Sequence, residues 1–435
     1  MISLIDWGIW VVYLVIIFFV LWFYRYSKSA EEYRFFLPGF LIKVFGSIAF
    51  TLIYVYYYKF GDSFEYYKGA LALNEAMSNS WTDYIDLLFS ESSTDFMNHL
   101  IRYTNSLEYA DTPEEWFMVK LISPISFIAF KSYLVINLLM GFISFWGSWK
   151  LFKVFADILP DKKTLAFISA FLIPSVVFWG SGIMKDTITL AGVNYIIYAL
   201  YFGFVKGQTK FIYYVTIPIW FYITFKLKSY ITIALLPGVV LTAYYHLKSK
   251  INSNFIRIIS GPILLITLTS LSFLGLKSLS ESSQKYSTSQ LEWKVKGIHS
   301  WHSDEGTGGS SYNLGQIDYT PIGVVKKIPE ALNVTFFRPY PWEARNAIVF
   351  LGALESAFIL GLFLLTLYQS NFRPLRYINN QSILKGMLIF VLIFGFAIGF
   401  TSYNFGALGR YKIPIFSLFT FILFYIRSKA IKKAI

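Results

Sequence analysis

The charged residues of this hydrophobic chain stand close to the ends of its long apolar runs. Three carboxylates with this position are Asp62, Asp186 and Glu343. The cations are Lys185, Lys226, Lys228, Arg338, Arg345, Arg410 and Lys412. A carboxylate beside a reacting hydroxyl can remove its proton, and lysine or arginine side chains neutralise phosphate oxygens. These residue types together predict acid–base chemistry on a substrate that carries a phosphate.

The apolar runs predict the elements that position these charges. Hydrophobic residues make up 56% of the 435 residues, and the mean hydropathy is +0.53. Apolar windows of about 18 or more residues are typical of transmembrane helices. The predicted spans are 7–24, 36–58, 133–152, 165–181, 187–205, 211–225, 229–246, 256–276, 346–368, 382–401 and 412–428. The sequence therefore predicts an all-α polytopic bundle of about eleven transmembrane helices, with residues 1–435 forming a single integral membrane domain.

The short loops between these spans predict the orientation. Lysine and arginine are enriched in cytoplasmic loops. Threading the spans in order places the loops near Arg25, Lys150, Lys206, Lys248 and Arg373 on the same side as the basic C-terminal tail. The prediction is a protein of the bacterial cytoplasmic membrane, surrounded by its lipids, with the N-terminus outside and the C-terminus in the cytoplasm. Two long loops, 59–132 and 277–345, are then outside.

The two outer loops contain segments with helical spacing. Residues 80–89 and 95–107 alternate apolar and polar positions in a way that predicts short helices in the membrane interface. Residues 116–130 are apolar and too short to span, so they are predicted to be interfacial or re-entrant. The glycine- and serine-rich stretch 303–315 is either a lid over a site or a surface loop without a role.

Composition also excludes several functional classes. The net charge of +13 follows from the basic loops, so no nucleic-acid partner is predicted. The chain has no cysteine, which excludes disulfides and thiolate chemistry, and its four histidines are too scattered for a dedicated metal cluster. Transporters carry ionisable groups near the middle of the membrane. Here Lys43 and Glu355 are the charges nearest to the middle of a predicted span.

Asp62 is the strongest candidate for acid–base chemistry. It lies in the segment KFGDSFEYYKG, directly after the second predicted span, and Gly61 permits a turn there. A helix that starts at Asp62 has Glu65 on the same face. Asp62 could deprotonate an acceptor hydroxyl, with Glu65 as a second catalytic carboxylate. The alternative is that Asp62 only caps the helix N-terminus.

The cations near the other span ends predict a phosphate site. Lys226 and Lys228 occupy the turn KLKSY on the predicted outer side, against the positive-inside trend, and a bound anion would explain them. Lys185 and Asp186 could instead form an ion pair at the membrane edge. Arg338, Arg345, Arg410 and Lys412 complete the predicted phosphate-binding set, while Asp186, Tyr230, His299, His302 and Glu343 are candidates for contacting or positioning an acceptor. The two histidines could equally be a solvated pair in a loop.

These segments resemble the GT-C superfamily of polytopic membrane glycosyltransferases. The hallmark of that family is an acidic residue in the first long outer loop, just after a transmembrane helix, and Asp62 of FGDSFEYY has that place. The segments PSVVFWGSGIMKDT, FFRPYPWEARN and FGALGRYKIP are similar to stretches of bacterial proteins of this kind, which are often associated with surface polysaccharide biosynthesis.

The resemblance implies an inverting transfer of sugar from a polyprenyl-phosphate-linked donor to a glycan or lipid acceptor on the outer face, with Asp62 as base. Some members bind a divalent metal at the acidic residue, so Mg²⁺ or Mn²⁺ at Asp62 is an implied cofactor. The chain departs from the family pattern in three ways. It has an extra helix before the hallmark loop, lacks the double acidic pair of several members, and lacks a soluble C-terminal outer domain.

Two other functions fit the same residues. A polysaccharide polymerase or ligase joins lipid-linked glycans and would use Arg338, Arg345 and Arg410 for the pyrophosphate. A transporter or flippase, or a non-enzymatic subunit of a membrane complex, is an alternative from a different class. A charged cavity through the midplane would indicate a transporter, whereas a groove open only to the outer leaflet would indicate an enzyme.

Overall fold

The protein is almost entirely helical. A computed structural model describes residues 2–90, 100–248, 311–315, 317–318 and 320–434. Within these ranges the regular structure consists of helices, and the one β-type pairing is an isolated bridge between Ser311 and Asn404. The predicted all-α class is therefore confirmed. The predicted span 256–276, the histidines His299 and His302, and most of the glycine-rich stretch 303–315 lie outside the described residues.

Eight helices in the described part of the chain are long and apolar enough to cross a membrane. They are Leu4–Tyr26, Glu31–Tyr58, Tyr133–Ile158, Lys185–Val205, Phe211–Lys248, Ala347–Gln369, Ser382–Thr401 and Ile413–Lys432. Each of them contains one or two of the predicted spans. The polytopic membrane architecture predicted from hydropathy therefore agrees with the structure.

One predicted span, 165–181, is wrong. The chain there forms two short helices, Lys163–Phe171 and Pro174–Trp179, of nine and six residues. At about 1.5 Å per residue neither is longer than about 14 Å, well short of the roughly 30 Å of a bilayer core. The predicted spans 211–225 and 229–246 are two helical segments within Phe211–Lys248, and they meet at Lys228, where the backbone is non-helical with φ −151° and ψ 79°.

The chain divides into two compact units, Met1–Ala199 with Phe211–Ser229, and Leu200–Lys210 with Tyr230–Ile435. The helices of the first unit are α1 (Leu4–Tyr26), α2 (Phe36–Leu52), α3 (Asp62–Asn79), α4 (Trp81–Phe89), α5 (Ile101–Thr104), α6 (Pro113–Ile128), α7 (Tyr133–Ile158), α8 (Lys163–Phe171), α9 (Pro174–Trp179) and α10 (Lys185–Ala199). Helix α11 (Phe211–Lys248) contains the boundary, directly after its kink. The sequence predicted one membrane domain without an internal boundary. The boundary at residues 229 and 230 lies between two apolar segments, so hydropathy does not indicate it.

The second unit contains the remaining helices. They are α12 (Pro321–Lys326), α13 (Ile328–Phe337), α14 (Ala347–Gln369), α15 (Ser382–Thr401), α16 (Phe405–Tyr411) and α17 (Ile413–Ala434). Helices α13 and α15 pack closely because a Cβ at Gly399 would lie 2.2 Å from the Ala331 carbonyl oxygen. Thr335 of α13 also donates to the Gly395 carbonyl of α15 at 2.6 Å.

Helix α7 is the central helix of the first unit, and most of its side chains are buried. It packs on α10 through small residues, since a Cβ at Gly147 would lie 2.6 Å from Cα of Ala191. Small residues allow the backbones of membrane helices to approach closely. This contact fixes α10, whose first residue is Lys185, in the middle of the first unit.

Polar side chains stabilise the irregular backbone that precedes α10. The ammonium of Lys43 in α2 donates to the carbonyls of Val176 at 3.2 Å and Gly180 at 3.3 Å. Asn137 of α7 accepts from the Ile183 amide at 2.8 Å, and Thr187 donates to the Gly182 carbonyl at 2.7 Å. Irregular backbone at membrane depth needs such partners. Lys43 is the charge nearest to the middle of its predicted span. Its hydrogen bonds stabilise the non-helical segment that leads into Lys185 and Asp186 at the start of α10.

The loop 59–132 is largely helical, as predicted for its segments. Residues 80–89 form α4, whose N-terminus is capped by the Ser80 hydroxyl accepting from the Asp83 amide. Residues 116–130 lie mostly in α6, which contains Pro124 and packs against α3. The described part of 95–107 contains the short helix α5.

Candidate functional site

Asp62 is the first residue of α3, so the condition under which Asp62 and Glu65 share a face is met. Helix α2 continues as a π-helix, Ile53–Tyr58, and ends at Lys59 in the left-handed conformation with φ 62°. Gly61 then adopts φ 109°, a conformation that side chains rarely permit, and occupies the N-cap position. The alternative in which Asp62 itself is the cap is therefore wrong. The carboxylate projects from the first turn of a helix that begins directly after a span.

Tyr109 binds the Asp62 carboxylate. Its hydroxyl donates to Asp62 Oδ1 at 2.8 Å, across 47 positions of the sequence. Burial, the negative charge of Asp62 and this hydrogen bond raise the pKa of Tyr109 above its usual value. The tyrosine therefore stays protonated and remains a hydrogen-bond donor at neutral pH. A charged carboxylate that is held in position but remains partly exposed is suited to act as a base.

Glu65 lies one turn further along α3. It pairs with Lys68 at 2.6 Å, and the lysine is well exposed. The Glu65 side chain itself is 17% exposed, and a pair with so exposed a lysine contributes about 0–1 kcal/mol. The prediction that Asp62 and Glu65 share a helix is confirmed, while a catalytic role for Glu65 stays a prediction.

Lys185 is bound by a carboxylate that the sequence did not single out. Its Nζ lies 2.6 Å from Glu115 Oε1, and both side chains are largely buried. Glu115 stands in the first turn of α6 and also contributes to the negative potential at Tyr109. The first unit therefore contains two polar contacts, Asp62 with Tyr109 and Glu115 with Lys185, and the charge of Glu115 acts on Tyr109 without a hydrogen bond between them.

Asp186 forms the second buried ion pair of this unit. Its Oδ1 lies 2.5 Å from Nζ of Lys228, with side chains that are 1% and 5% exposed. Lys228 is the non-helical residue at the kink of α11, so the kink and the ion pair occur at the same position. The ammonium of Lys228 also lies close enough to that of Lys185 for the two positive charges to interact.

The neighbours Lys185 and Asp186, for which the sequence left an ion pair open, each have a partner elsewhere in the unit, Glu115 and Lys228. Adjacent residues on a helix point in directions about 100° apart. Lys185 therefore reaches α6 and Asp186 reaches the kink of α11. We refer to Asp62, Tyr109, Glu115, Lys185, Asp186 and Lys228 as the acid–lysine cluster.

Lys226 differs from the other lysines of this site because its side chain is exposed. It lies two residues before Lys228 on α11, so the two residues point to different sides of the helix. Of the predicted phosphate-binding residues in the first unit, Lys226 is the one for which no carboxylate partner occurs among the described residues.

The second unit has its own paired charges. The guanidinium of Arg338 binds both carboxylate oxygens of Glu343 through Nε at 3.0 Å and makes a further hydrogen bond through a terminal nitrogen. Glu343 also accepts from the Tyr340 amide at 2.8 Å. Arg338 lies over the rings of Tyr312 and Phe405. These contacts fix the segment between α13 and α14.

Lys412 and Glu355 form a buried pair in the same unit. Lys412 Nζ lies 3.5 Å from Glu355 Oε1, with 2% and 3% of the side chains exposed, and 3.4 Å from the Ser356 hydroxyl. Arg345 is exposed at the start of α14, Arg410 is half-buried on α16, and Tyr230 stacks on Phe394 with a centroid distance of 6.0 Å. His299 and His302 lie outside the described residues.

The structure thus brings Asp62, Lys185, Asp186 and Lys228 together in the first unit and pairs Arg338 with Glu343 and Lys412 with Glu355 in the second. Sequence reasoning missed Tyr109, Glu115 and Glu355 as partners. A signal existed for Glu115, since Thr112-Pro113-Glu114-Glu115 is a typical helix start. That pattern predicts acidic residues in the first turn of a helix. It does not indicate that Glu115 would pair with Lys185.

The described residues contain no group of three or more histidine or acidic side chains that could hold a metal ion. One partner of Asp62 is the Tyr109 hydroxyl, which stays protonated. A divalent cation at Asp62 stays a prediction, and the chemistry below uses none.

Comparison of the chain with family models, with curated proteins and with solved structures finds no match. The functional interpretation rests on the acid–lysine cluster and on the resemblance of the segments described above.

Proposed function

We propose that the protein is a membrane glycosyltransferase that uses a polyprenyl-phosphate-linked sugar. The observation that carries this proposal is the position of Asp62. Its carboxylate stands at the exit of a span and is held by Tyr109, whose pKa is raised by the charges of both Asp62 and Glu115, the partner of the buried Lys185. A lipid-linked donor has its phosphate at this depth, where the head groups of the bilayer lie.

In the proposed reaction Asp62 removes the proton of an acceptor hydroxyl. The acceptor oxygen forms a bond to the anomeric carbon of the donor sugar while the bond from that carbon to the phosphate oxygen breaks. The leaving polyprenyl phosphate takes the bonding electrons, and the proton remains on Asp62 until solvent removes it. This single displacement inverts the anomeric configuration. It is most effective when the base lies within hydrogen-bond reach of the acceptor hydroxyl.

The sequence predicted that Lys185 and Lys228 bind phosphate, and the structure changes the role we propose for them. Glu115 and Asp186 already neutralise Lys185 and Lys228, so these ammonium groups are held in fixed positions inside the protein. A carboxylate at contact distance offsets the attraction of each ammonium for a phosphate, so we assign Lys185 and Lys228 to positioning α10 against α6 and the kink of α11. Lys226, exposed two residues from Lys228, is the cation best placed to meet the phosphate as it enters from the lipid.

The direct test is sugar transfer itself. Membranes that contain the wild-type protein are incubated with polyprenyl-phosphate-linked monosaccharides carrying a radiolabelled sugar. Label should pass to an acceptor with the wild type and should remain on the donor when Asp62 is replaced by asparagine. Label that never leaves any donor with the wild type would contradict the proposed transfer.

A polymerase or ligase that binds pyrophosphate through Arg338 has weaker support. Glu343 occupies both the Nε and a terminal nitrogen of that guanidinium, so the residue is already paired within its own unit. Transport and a purely structural role have no single observation in their favour. The glycosyltransferase therefore remains the function that the described residues support best.

Replacing Lys226 with alanine tests the phosphate contact. The expected result is a KM for the lipid-linked donor about fivefold higher, the effect of losing roughly 1 kcal/mol at an exposed charge. The turnover number should change little, because an exposed contact forms equally in the ground state and the transition state. The measurement is transfer rate against donor concentration. Lys162→Ala, at an exposed lysine predicted to face the cytoplasm, is the control, and an equal KM for both variants would exclude Lys226 from the donor site.

A further inference from the structure

The first unit contains a cavity of about 520 Å³ that none of the functional assignments above uses. Its lining comes from four helices at the same end of the unit. The residues that matter here are Asp6 of α1, Tyr56 and Lys59 at the end of the π-helix, Phe64 and Tyr67 of α3, and Tyr133 of α7. Small-molecule sites in proteins have volumes of about 300–1,000 Å³, so this cavity can hold a ligand.

Aromatic rings form the floor of the cavity. Phe64 and Tyr133 are stacked, with centroids 5.1 Å apart and planes at 19°. Tyr67 meets Tyr133 edge-on at 5.3 Å. The Tyr67 hydroxyl donates to the Lys131 carbonyl at 2.7 Å, and that of Tyr133 is 2.7 Å from the Ser63 hydroxyl. The rings are therefore fixed in position before any ligand binds.

Two opposite charges stand at the same cavity. Asp6 closes the capping box of α1 with Ser3, which fixes the carboxylate at the start of that helix. Lys59 is exposed, and its left-handed backbone turns the chain toward α3. Burial and, second, the negative charge of Asp6 raise the pKa of Tyr67. Asp6 therefore lies close enough to the aromatic floor for its charge to act on Tyr67. The cavity thus combines an aromatic floor with one hydrogen-bond acceptor and one donor group.

This combination distinguishes between classes of ligand. An acyl chain gains nothing from a carboxylate and an ammonium, and burying them against it would cost free energy. A phosphate would be repelled by Asp6. A sugar ring has an apolar face of C–H groups for an aromatic ring and a rim of hydroxyls that can both donate to a carboxylate and accept from an ammonium.

We infer that this cavity binds a sugar ring of the acceptor, with the ring stacked on the aromatic floor and its hydroxyls bonded to Asp6 and Lys59. That the bound sugar belongs to the acceptor rests on the proposed transfer reaction. That the cavity binds a sugar does not depend on it. The lining residues Lys59 and Phe64 stand three positions before and two positions after Asp62. The cavity therefore lies next to the backbone of the proposed base, and the Asp62 side chain is not part of its lining. Helix α1, the extra helix relative to the resembled family, supplies Asp6.

The experiment measures sugar binding by the full-length protein in lipid nanodiscs. The probes are the methyl glycosides of glucose, galactose, mannose and N-acetylglucosamine, and the readout is saturation transfer from protein to probe by NMR. The test variant is Tyr56→Ala, and the matched control is Tyr57→Ala. The two tyrosines are neighbours on the same π-helix and are 58% and 60% exposed, but the first lines the cavity. Both variants should therefore fold equally well.

The expected result is saturation transfer to at least one glycoside, with binding about fivefold weaker for Tyr56→Ala than for Tyr57→Ala, as expected for one lost aromatic contact. Lys59→Asn should weaken binding as well, since asparagine tolerates the left-handed backbone. The inference would be overturned if Tyr56→Ala and Tyr57→Ala bound the glycosides equally well. It would also be overturned if none of the four probes received NMR saturation from the wild-type protein.

Asp62→Asn separates this inference from the proposed function. That variant should lose sugar transfer and keep saturation transfer to the glycosides, because Asp62 acts on the proton and the cavity binds the ring. If the wild type binds a glycoside through Tyr56 yet transfers no sugar, the proposed reaction fails and the cavity stands. If the wild type transfers sugar and Tyr56→Ala leaves the KM for the acceptor unchanged, the cavity fails and the reaction stands.

Discussion

Replacing Asp62 with asparagine is expected to lower sugar transfer about 100- to 10,000-fold, the contribution of a positioned general base. Asparagine keeps the size of the side chain and can still accept from Tyr109, so the geometry at the start of α3 should survive. It cannot take a proton from the acceptor hydroxyl. The measurement is the initial rate of transfer from the lipid-linked donor under conditions where both substrates saturate the wild type.

The control for this prediction is Asp86→Asn. Asp86 is a half-buried carboxylate on α4, in the same outer connection as Asp62 but outside the acid–lysine cluster. It should transfer sugar at the wild-type rate. Glu65→Gln adds a second comparison, since Glu65 shares the face of α3 with Asp62. If Asp62→Asn retains full activity while expressed at wild-type levels, Asp62 is not the base.

Replacing Lys228 with alanine is expected to destabilise the protein by about 3–5 kcal/mol, the effect of breaking a buried ion pair from one side. The reason is the burial of Asp186, which is 1% exposed and would lose the ammonium that lies 2.5 Å away. Alanine also removes the side chain at the kink of α11. The measurement is the midpoint of thermal unfolding of the purified protein in detergent or nanodiscs.

Two further variants make this stability prediction specific. Lys226→Ala removes an exposed lysine two positions away and should leave the unfolding midpoint unchanged. The double variant Asp186→Leu with Lys228→Leu removes both charges and should recover most of the lost stability, because apolar replacements of buried pairs are often neutral or stabilising. Equal midpoints for Lys228→Ala and Lys226→Ala would show that the pair contributes nothing to folding. The same result would make Lys228 available to a substrate.

The membrane helices were the predictable part of the fold, because each needs only a long apolar segment. The failure at 165–181 has a physical cause. Hydropathy measures composition and does not detect a break in the helix, while Pro174, Gly180 and Gly182 end the hydrogen-bond ladder inside an apolar segment. Lys228 shows the converse, since the charged turn between two apolar runs coincides with a break in the helical geometry.

The position of each candidate residue at a helix end was predictable, since it depends on local sequence. The residue with which each candidate side chain forms a hydrogen bond or ion pair was not predictable. Tyr109 and Glu115 come from the loop 59–132, and their approach to Asp62 and Lys185 depends on how α3 to α6 pack. The sequence predicted free cations for phosphate, whereas four of the seven have carboxylate partners. Ion pairing over long separations has no signature in hydropathy or charge patterning.

The buried ion pairs have a consequence for the electrical behaviour of the protein. A membrane potential does work of about 2.3 kcal/mol on each elementary charge per 100 mV, and it acts on net charge. Glu115 with Lys185, Asp186 with Lys228 and Glu355 with Lys412 each sum to zero. The voltage across the bilayer therefore does no net work on any of these three pairs when the pair moves as one body.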